Sequence, residues 1–383
     1  MTALDAPGGP GPGGLRRIAV VGAGLVGGSV AAALRAAGAD VTLTDADADV
    51  RRRAAASGLA DRVVDELERA VADAELVVVA VPAHVTPAVV HQVARVAPSA
   101  ALLTDVASLK GELVPAVEAL LADDELSPGR FVGGHPMAGS ERSGPEAADA
   151  QLFQGATWVL TPTAHTDHAA LTALSAVLRA IGARVLALDP DLHDQLVAVT
   201  SHLPQVAASA LADVAAGTAG RLGEAVMAVA GGGFRDTTRI AASDPDLWVG
   251  ILGGNREAVL EAIVALEVRL ADVRRALLEH DDTDLRALLE RASVARRGLV
   301  RSDVGTETVD LVVALDDRPG ALAAATNALG EAGINVSDLA MRHASAGDRG
   351  ALLVRIEATT EARAITALAG VGLAAHVEPG GGS

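Results

Sequence analysis

Residues 20–29 read VVGAGLVGGS, and the organisation of the chain follows from what stands on either side of them. They continue a short apolar stretch that begins RIA at Arg17. After them comes VAAALRAAG at helical spacing. Gly22, Gly24 and Gly27 therefore hold G-x-G-x-x-G spacing at a strand-to-helix turn. The first glycine permits the tight turn, the second lets a pyrophosphate approach the backbone, and the third lets helix pack close on strand. The pattern is weak alone and gains weight from Asp45, which closes the second apolar run, DVTLTD, about twenty residues on, where a carboxylate bonds a ribose 2′-hydroxyl. These features predict a dinucleotide site built from Gly22, Gly24, Leu25, Val26, Gly27 and Asp45, with Val81 and Pro82 at the end of the run ELVVVAV joining it. Asp45 repels a 2′-phosphate, so NAD is expected over NADP; Arg51, Arg52 and Arg53 just downstream leave the phosphorylated form open.

From Arg16 to about Leu188 short β-rich runs (RIAVVG, DVTLTD, ELVVVAV, ALLTDV, RFVGG, TWVLTP, RVLAL) alternate with helical stretches, which argues a parallel sheet covered by helices. From Pro190 to about Leu299 strand signals vanish and helical spacing takes over, broken by AGGGFRDTTRIAASDP. Beyond RRGLVRSDVGTE the order becomes strand, helix, strand, strand, helix, strand, a βαββαβ pattern of ferredoxin-like α+β type. The expected bounds are a disordered Gly/Pro leader over 1–15, a Rossmann-type α/β domain over 16–189, an all-helical domain over 190–300 and the small α+β domain over 306–377.

Composition narrows the function. A net charge of −18 argues against tracking nucleic-acid phosphates, so an anionic ligand needs local cations. With no cysteine there is no disulfide, thiolate metal site or thiol nucleophile, and no metal is expected. The N-terminal stretch lacks the basic start and apolar run of a signal peptide, and no segment approaches about 18 uninterrupted apolar residues; a cytoplasmic protein is expected. Thirty of the thirty-one basic residues are arginine, and five of all 383 residues are aromatic, which reads as codon bias. Lys110, the single lysine, resists that bias, as though a compact ammonium does there what a planar guanidinium does not.

Four further stretches combine catalytic residue types with loop chemistry: DVASLK with Ser108 and Lys110, GGHPMAGSERSG with His135, TSHLPQ with His202, and GGGFRDTTRIAASDPDLW with Arg239 and Trp248. Beside a nicotinamide site, a histidine suits the task of accepting a hydroxyl proton as hydride departs.

In these four motifs, present in order, the sequence resembles prephenate dehydrogenase of tyrosine biosynthesis over about residues 16 to 376. The resemblance implies oxidative decarboxylation of prephenate with NAD. His135 would accept the proton of the ring hydroxyl, with Ser108 between hydroxyl, histidine and nicotinamide as the second catalytic residue. Arg239 would grip the ring carboxylate, and His202 and Trp248 would line the substrate pocket. Lys110 is expected in a supporting role, at the first turn of a helix beside Ser108, with a surface lysine as the alternative. Gln205 departs from the histidine that many relatives have after SHLP. The helical domain is expected to form a homodimer.

The stretch LDDRPGALAAATNALGEAGINVSDL resembles an ACT domain, with Asp317, Pro319, Gly320 and Leu322 matching the turn and Asn335 the GIN position. The resemblance implies an allosteric amino-acid site at Asp317, Gly320 and Asn335, with tyrosine the expected effector and phenylalanine second. Two other readings stay open: arogenate dehydrogenase, with the same chemistry on an amino side chain, and a non-catalytic sensor of NAD and an amino acid. Phosphoglycerate dehydrogenase also joins a Rossmann unit to an ACT domain, but its dinucleotide motif lies well inside the chain, whereas here it begins at Gly22.

Overall fold

The computed structural model describes residues 11–139, 142–222, 229–301, 308–316, 321–334, 336–343 and 349–377. By its internal contacts the chain divides into two compact units, Met1–Arg269 and Leu270–Ser383, with the division inside the helix Arg256–Leu278.

The first unit is built on one sheet: β1 (Arg17–Val21), β2 (Asp40–Thr44), β3 (Arg62–Val64), β4 (Leu76–Val79), β5 (Leu102–Asp105), β6 (Phe131–Pro136), β7 (Thr157–Thr161) and β8 (Arg184–Ala187), in the order β3-β2-β1-β4-β5-β6-β7-β8. The central strands are apolar on both faces because helices cover both. Along β1, Ile18 and Val20 enter one core, while Ala19 and Val21 enter the other. The covering helices are α1 (Leu25–Ala36), α2 (Ala48–Ala56), α3 (Leu67–Val71), α4 (Thr86–Val96), α5 (Leu113–Asp123) and α6 (His168–Ala180).

Two details depart from the expected parallel sheet. Strand β3 is an extra, three-residue edge partner of β2, too short to give a periodic signal. And β6 pairs antiparallel with β7. A parallel return needs a crossover of a dozen or more residues, usually a helix; among the described residues between β6 and β7 only the short 3-10 turn Pro145–Ala147 forms, so the chain comes back alongside itself. Within the stretch expected as a leader, residues 11–15 are described. Pro12–Gly14 form a 3-10 turn with Pro12 buried, and Leu15 packs on the first core.

After β8 the described residues from 190 to 301 contain no strand. Asp189 accepts from the backbone N–H groups of Asp191 and Leu192 and Pro190 takes the first turn, so α7 (Pro190–Val197) starts sharply. It runs through a π turn, Ala198–His202, into α8 (Leu203–Leu222). Pro204, one residue after Leu203, has no N–H to continue the ladder. Leu203 bonds instead to the carbonyl of Ala198, five residues back, and the helix widens there. The stretch read as a break is itself helical: helix Gly232–Thr238, a 3-10 turn Arg239–Ala242, and helix Pro245–Gly254, capped by Asp244. No described helix is long and apolar enough to cross a membrane.

The second unit holds the helix Asp282–Arg301 and the small α+β fold. Its elements are β9 (Thr308–Asp316), helix Ala321–Glu331, β10 (Val336–His343), β11 (Arg349–Glu357), helix Glu361–Gly370 and β12 (Ala375–Val377). The order is βαββαβ as expected, and the strands lie β10-β11-β9-β12, all antiparallel. A cross-strand Arg355–Asp310 pair, with two N–H···O bonds of 2.7 Å, pins the β9–β11 register.

Candidate active site

The three glycines of the first turn have separate jobs. Gly22 has φ +105°, and a Cβ there would lie 2.2 Å from the Ala80 carbonyl oxygen. A Cβ on Gly27 would lie 2.0 Å from the Gly22 carbonyl oxygen, so that glycine lets α1 pack against the turn. A Cβ on Gly24 would meet nothing within 4 Å: this face is open, as an approaching pyrophosphate requires. Gly24 is the N-cap of α1, without a side-chain cap and with no acidic residue in the first turn. The helix therefore presents unfilled N–H donors to an anion.

The Asp45 carboxylate accepts from the backbone N–H of Ala23 (2.7 Å) and of Asp47 (2.9 Å), which seats it beside the glycine turn. Arg51 donates to the carbonyls of Asp45 (2.6 Å) and Ala46 (3.1 Å). Arg52 pairs with Asp49 and Arg53 with Glu146, both away from this carboxylate. Leu25 and Val26 open α1 half-buried, and Val81 and Pro82 follow β4. These residues share the carboxyl edge of the sheet where β1 has β2 on one side and β4 on the other, the crevice in which open α/β sheets bind ligands.

At the end of β5 the single lysine finds its reason. Lys110 is neither on the surface nor in the first turn of a helix; it precedes α5 by three residues and is fully buried. Its Nζ donates to Asp105 Oδ2 at 2.5 Å, and its Cδ stands 3.4 Å from where a Cβ on Gly133 would be. The closed space suits a narrow stem and a point charge better than a guanidinium fork. Burial pulls the Lys110 pKa down, against the attraction of Asp105. Asp105 also accepts from the N–H groups of Ala107 (2.8 Å) and Gly134 (3.0 Å), tying the Ser108 loop to β6. Gly134 has no room for a side chain: a Cβ would lie 2.7 Å from the Asp105 carbonyl oxygen.

That tight pairing sets His135 at the end of β6. Its Nδ1 lies 2.8 Å from His193 Nε2, with the rings edge to face at 5.0 Å. His193 Nδ1 lies 2.7 Å from Asp194 Oδ1. Asp194 Oδ1 further accepts from the Lys110 N–H (2.9 Å), and Oδ2 from that of Gly111 (2.8 Å). Burial first, then the charges of His193, Lys110 and His202, hold the His135 pKa well below the ordinary histidine value. His202, buried on the π turn, is pushed down to about 4, mainly by burial. The Asn255 amide nitrogen donates to the Asp194 carbonyl (2.7 Å) and lies 3.2 Å from His202 Nδ1. Half-buried Trp248 stands edge-on to His202 at 6.0 Å.

The structure thus gathers His135, Lys110, His202 and Trp248 into one connected cluster, with half-buried Ser108 two residues before Lys110. Arg239 lies on the 3-10 turn packed against α8. Asp317, Pro319, Gly320 and Asn335 lie outside the described residues. Sequence reading missed Asp105, His193, Asp194 and Asn255. A signal for two of them existed: His193 and Asp194 stand nine and eight residues before His202 in one helical run, which brings them under the same motif. Among the described residues no cluster of His, Asp or Glu is arranged to hold a metal ion.

Comparison with known proteins gives matches over most of the chain. A family model described as "Prephenate dehydrogenase, nucleotide-binding domain" matches residues 30–187, and one described as "Prephenate dehydrogenase, dimerization domain" matches residues 189–291. Cyclohexadienyl dehydrogenase of Zymomonas mobilis is 34% identical over 286 residues, covering 74% of this chain and 96% of that protein. Prephenate dehydrogenase of Bacillus subtilis is 32% identical over 334 residues, 84% of this chain and 87% of its own. The crystal structure of prephenate dehydrogenase from A. aeolicus, in complex with hydroxyphenyl propionate and NAD+, superposes with a TM-score of 0.68 at 31% identity, over 74% of this chain and 98% of that one.

Proposed function

Because the chain belongs to the prephenate dehydrogenase family, we propose that it catalyses the NAD-dependent oxidative decarboxylation of prephenate to 4-hydroxyphenylpyruvate, as a homodimer. The observation that carries this reading is a neutral histidine, His135, in a mostly buried cluster on the same sheet edge as an open dinucleotide cradle.

The cofactor fits what is present. Gly24 leaves open space, the first turn of α1 offers N–H donors to the pyrophosphate, and the Asp45 carboxylate stands ready for a ribose hydroxyl while repelling a 2′-phosphate. NAD, when bound, supplies the acceptor for the hydride that leaves the substrate ring. His135 is assigned the proton of the ring hydroxyl: a neutral imidazole accepts it as the oxygen becomes carbonyl-like, and loss of the ring carboxylate as carbon dioxide restores aromaticity. Ser108 is assigned a hydrogen bond to the same hydroxyl. Arg239 is assigned the ring carboxylate, because a dianionic substrate on so acidic a protein needs a local cation. His202 and Trp248 are assigned the substrate side chain. The dimer is supported by the family's dimerization region and by apolar side chains left exposed on its helices, Val214, Val249, Leu260 and Val264 among them.

The βαββαβ unit is assigned to an ACT-type sensor of tyrosine, on its element order, its strand order and the turn sequence before Ala321. Incubation of the full chain with NAD and either prephenate or arogenate, following NADH absorbance and identifying the product, tests the catalytic reading. Prephenate should be turned over in preference, and absence of NADH formation with both would overturn it.

A further inference from the structure

We propose that Asp194 sets the hydrogen positions on both site histidines and gives them opposite roles, His135 a proton acceptor and His202 a proton donor, each at Nε2. The inference rests on the catalytic reading above and assigns positioning roles to His193, Asp194 and Asn255.

One branch runs through the Asp194 side chain. A carboxylate only accepts, and this one already takes the backbone N–H groups of Lys110 and Gly111. His193 Nδ1, 2.7 Å away, therefore carries hydrogen and donates to it. In the neutral ring Nε2 is then bare and accepts, so the contact of 2.8 Å is a donation from His135 Nδ1–H. Neutral His135 has only one ring hydrogen. With it spent on His193, Nε2 is left with a lone pair for the substrate proton.

The second branch runs through the Asp194 backbone. Its carbonyl oxygen accepts at 2.7 Å from the Asn255 side chain, which identifies the group facing it as the NH2 and not the oxygen. The same nitrogen turns its other hydrogen to His202 Nδ1 at 3.2 Å. His202 Nδ1 is thus an acceptor, and a neutral ring must hold its hydrogen on Nε2. Such a ring offers a donor to a carboxylate or carbonyl oxygen of the substrate side chain without competing for the proton that His135 takes. One residue separates the tasks of two otherwise equivalent imidazoles. His193, Asp194 and Asn255 are all buried, so solvent does not scramble the arrangement.

The test is a long-range 15N–1H spectrum of the histidine-labelled full chain at pH 7.5, signals identified by single His→Gln variants. Expected are Nδ1–H on His135 and Nε2–H on His202. Asp194→Ala removes the acceptor of the His193 Nδ1–H, so His193 is freed to carry its hydrogen on Nε2 and His135 shifts to Nε2–H, while the backbone branch leaves His202 as it was. Its kcat should fall by about 10² to 10⁴-fold, the scale of loss when a triad carboxylate is disabled, with KM for NAD unchanged. Should that variant fail to fold, His193 supplies the comparison. His193→Gln places an amide oxygen where Nε2 stood and should recover at least about tenfold of the kcat lost in His193→Leu. Nε2–H on His135 in the unmodified protein, or equal kcat in the Gln and Leu variants, would overturn the proposal. The expected spectrum in a protein inactive on prephenate would overturn the catalytic reading and leave the hydrogen positions standing.

Discussion

At the scale of single residues, the proposed role of His135 as proton acceptor makes a claim on pH dependence. Burial and three neighbouring cations or potential cations disfavour its imidazolium, so it stays unprotonated from the ordinary histidine range upward and gains a proton only well below it. The acid limb of the kcat/KM profile is accordingly expected below pH 6.5, and His135→Asn should lower kcat by about 10² to 10⁴-fold with NAD binding retained. A limb at or above 6.5 would place the base elsewhere. His202 makes a separate claim on stability. Its folded pKa of about 4 lies below the unfolded 6.5, so the unfolded chain binds the proton first. This group therefore leaves stability unaffected above pH 6.5 and lowers it as pH falls from 6.5 toward about 4, below which the loss is complete. Urea unfolding at pH 7.5, 5.5 and 4.5 should show that decline, and His202→Gln should flatten it. Asp45 is the third such residue. Asp45→Ser removes the repulsion of a 2′-phosphate beside the Arg51 guanidinium, and also the acceptor of the Ala23 and Asp47 N–H groups. KM for NAD should rise at least about tenfold while the NADP/NAD ratio of kcat/KM shifts toward NADP. An unmodified enzyme that already prefers NADP would contradict the assignment.

At the scale of elements, the site depends on how closely β5, β6 and β7 approach. A Cβ on Gly133 would lie 2.5 Å from Thr161 Oγ1, and one on Gly134 2.7 Å from the Asp105 backbone oxygen, which has no rotamer to yield. Gly134→Ala should therefore destabilise the fold by about 1–3 kcal/mol, as overpacking does, and lower kcat more than it raises KM, because the strand that moves carries His135. A melting temperature and kcat both unchanged would show that the strand pair has slack the distances deny. The widened turn at Ala198–His202 is the other element that matters. A regular helix through Pro204 is not available, and the five-residue turn ahead of it carries His202 to Asn255 and Trp248.

At the scale of the whole molecule, the match to the dimerization-domain family model ends at residue 291, and the A. aeolicus chain is matched over 98% of its own length by 74% of this one. Catalysis should not need the C-terminal α+β unit. Deleting residues 302–383 is expected to leave NAD-dependent turnover in place and to remove the part of tyrosine inhibition that is not competitive with prephenate. If tyrosine weakens prephenate binding, prephenate must by reciprocity weaken tyrosine binding to the full chain by the same factor. Inhibition curves at several prephenate concentrations decide it, and identical curves for full and shortened chains would take the sensor role from this unit.

Local patterns carry local information, and most of the architecture was open to them. The glycine turn after RIAVV, Asp45 at the end of the next strand, the switch to helices at Pro190 and the βαββαβ order after residue 306 all rest on neighbours within one or two elements. So do the identities of His135, His202 and Lys110, each set in a short motif. What those residues do to one another is another matter. Asp194 meets the N–H groups of Lys110 and Gly111 across more than eighty positions, and Asn255 reaches His202 across 53. The antiparallel β6–β7 pair likewise depends on a return path that no periodicity records. Burial is also a property of the assembled fold: the same lysine would be an unremarkable surface charge until β5, β6 and α5 close around it. Tertiary structure alone decided the depressed pKa values, the partner of Lys110 and which ring nitrogen of each histidine is free, because desolvation and hydrogen-bond geometry arise only when distant segments exclude water together.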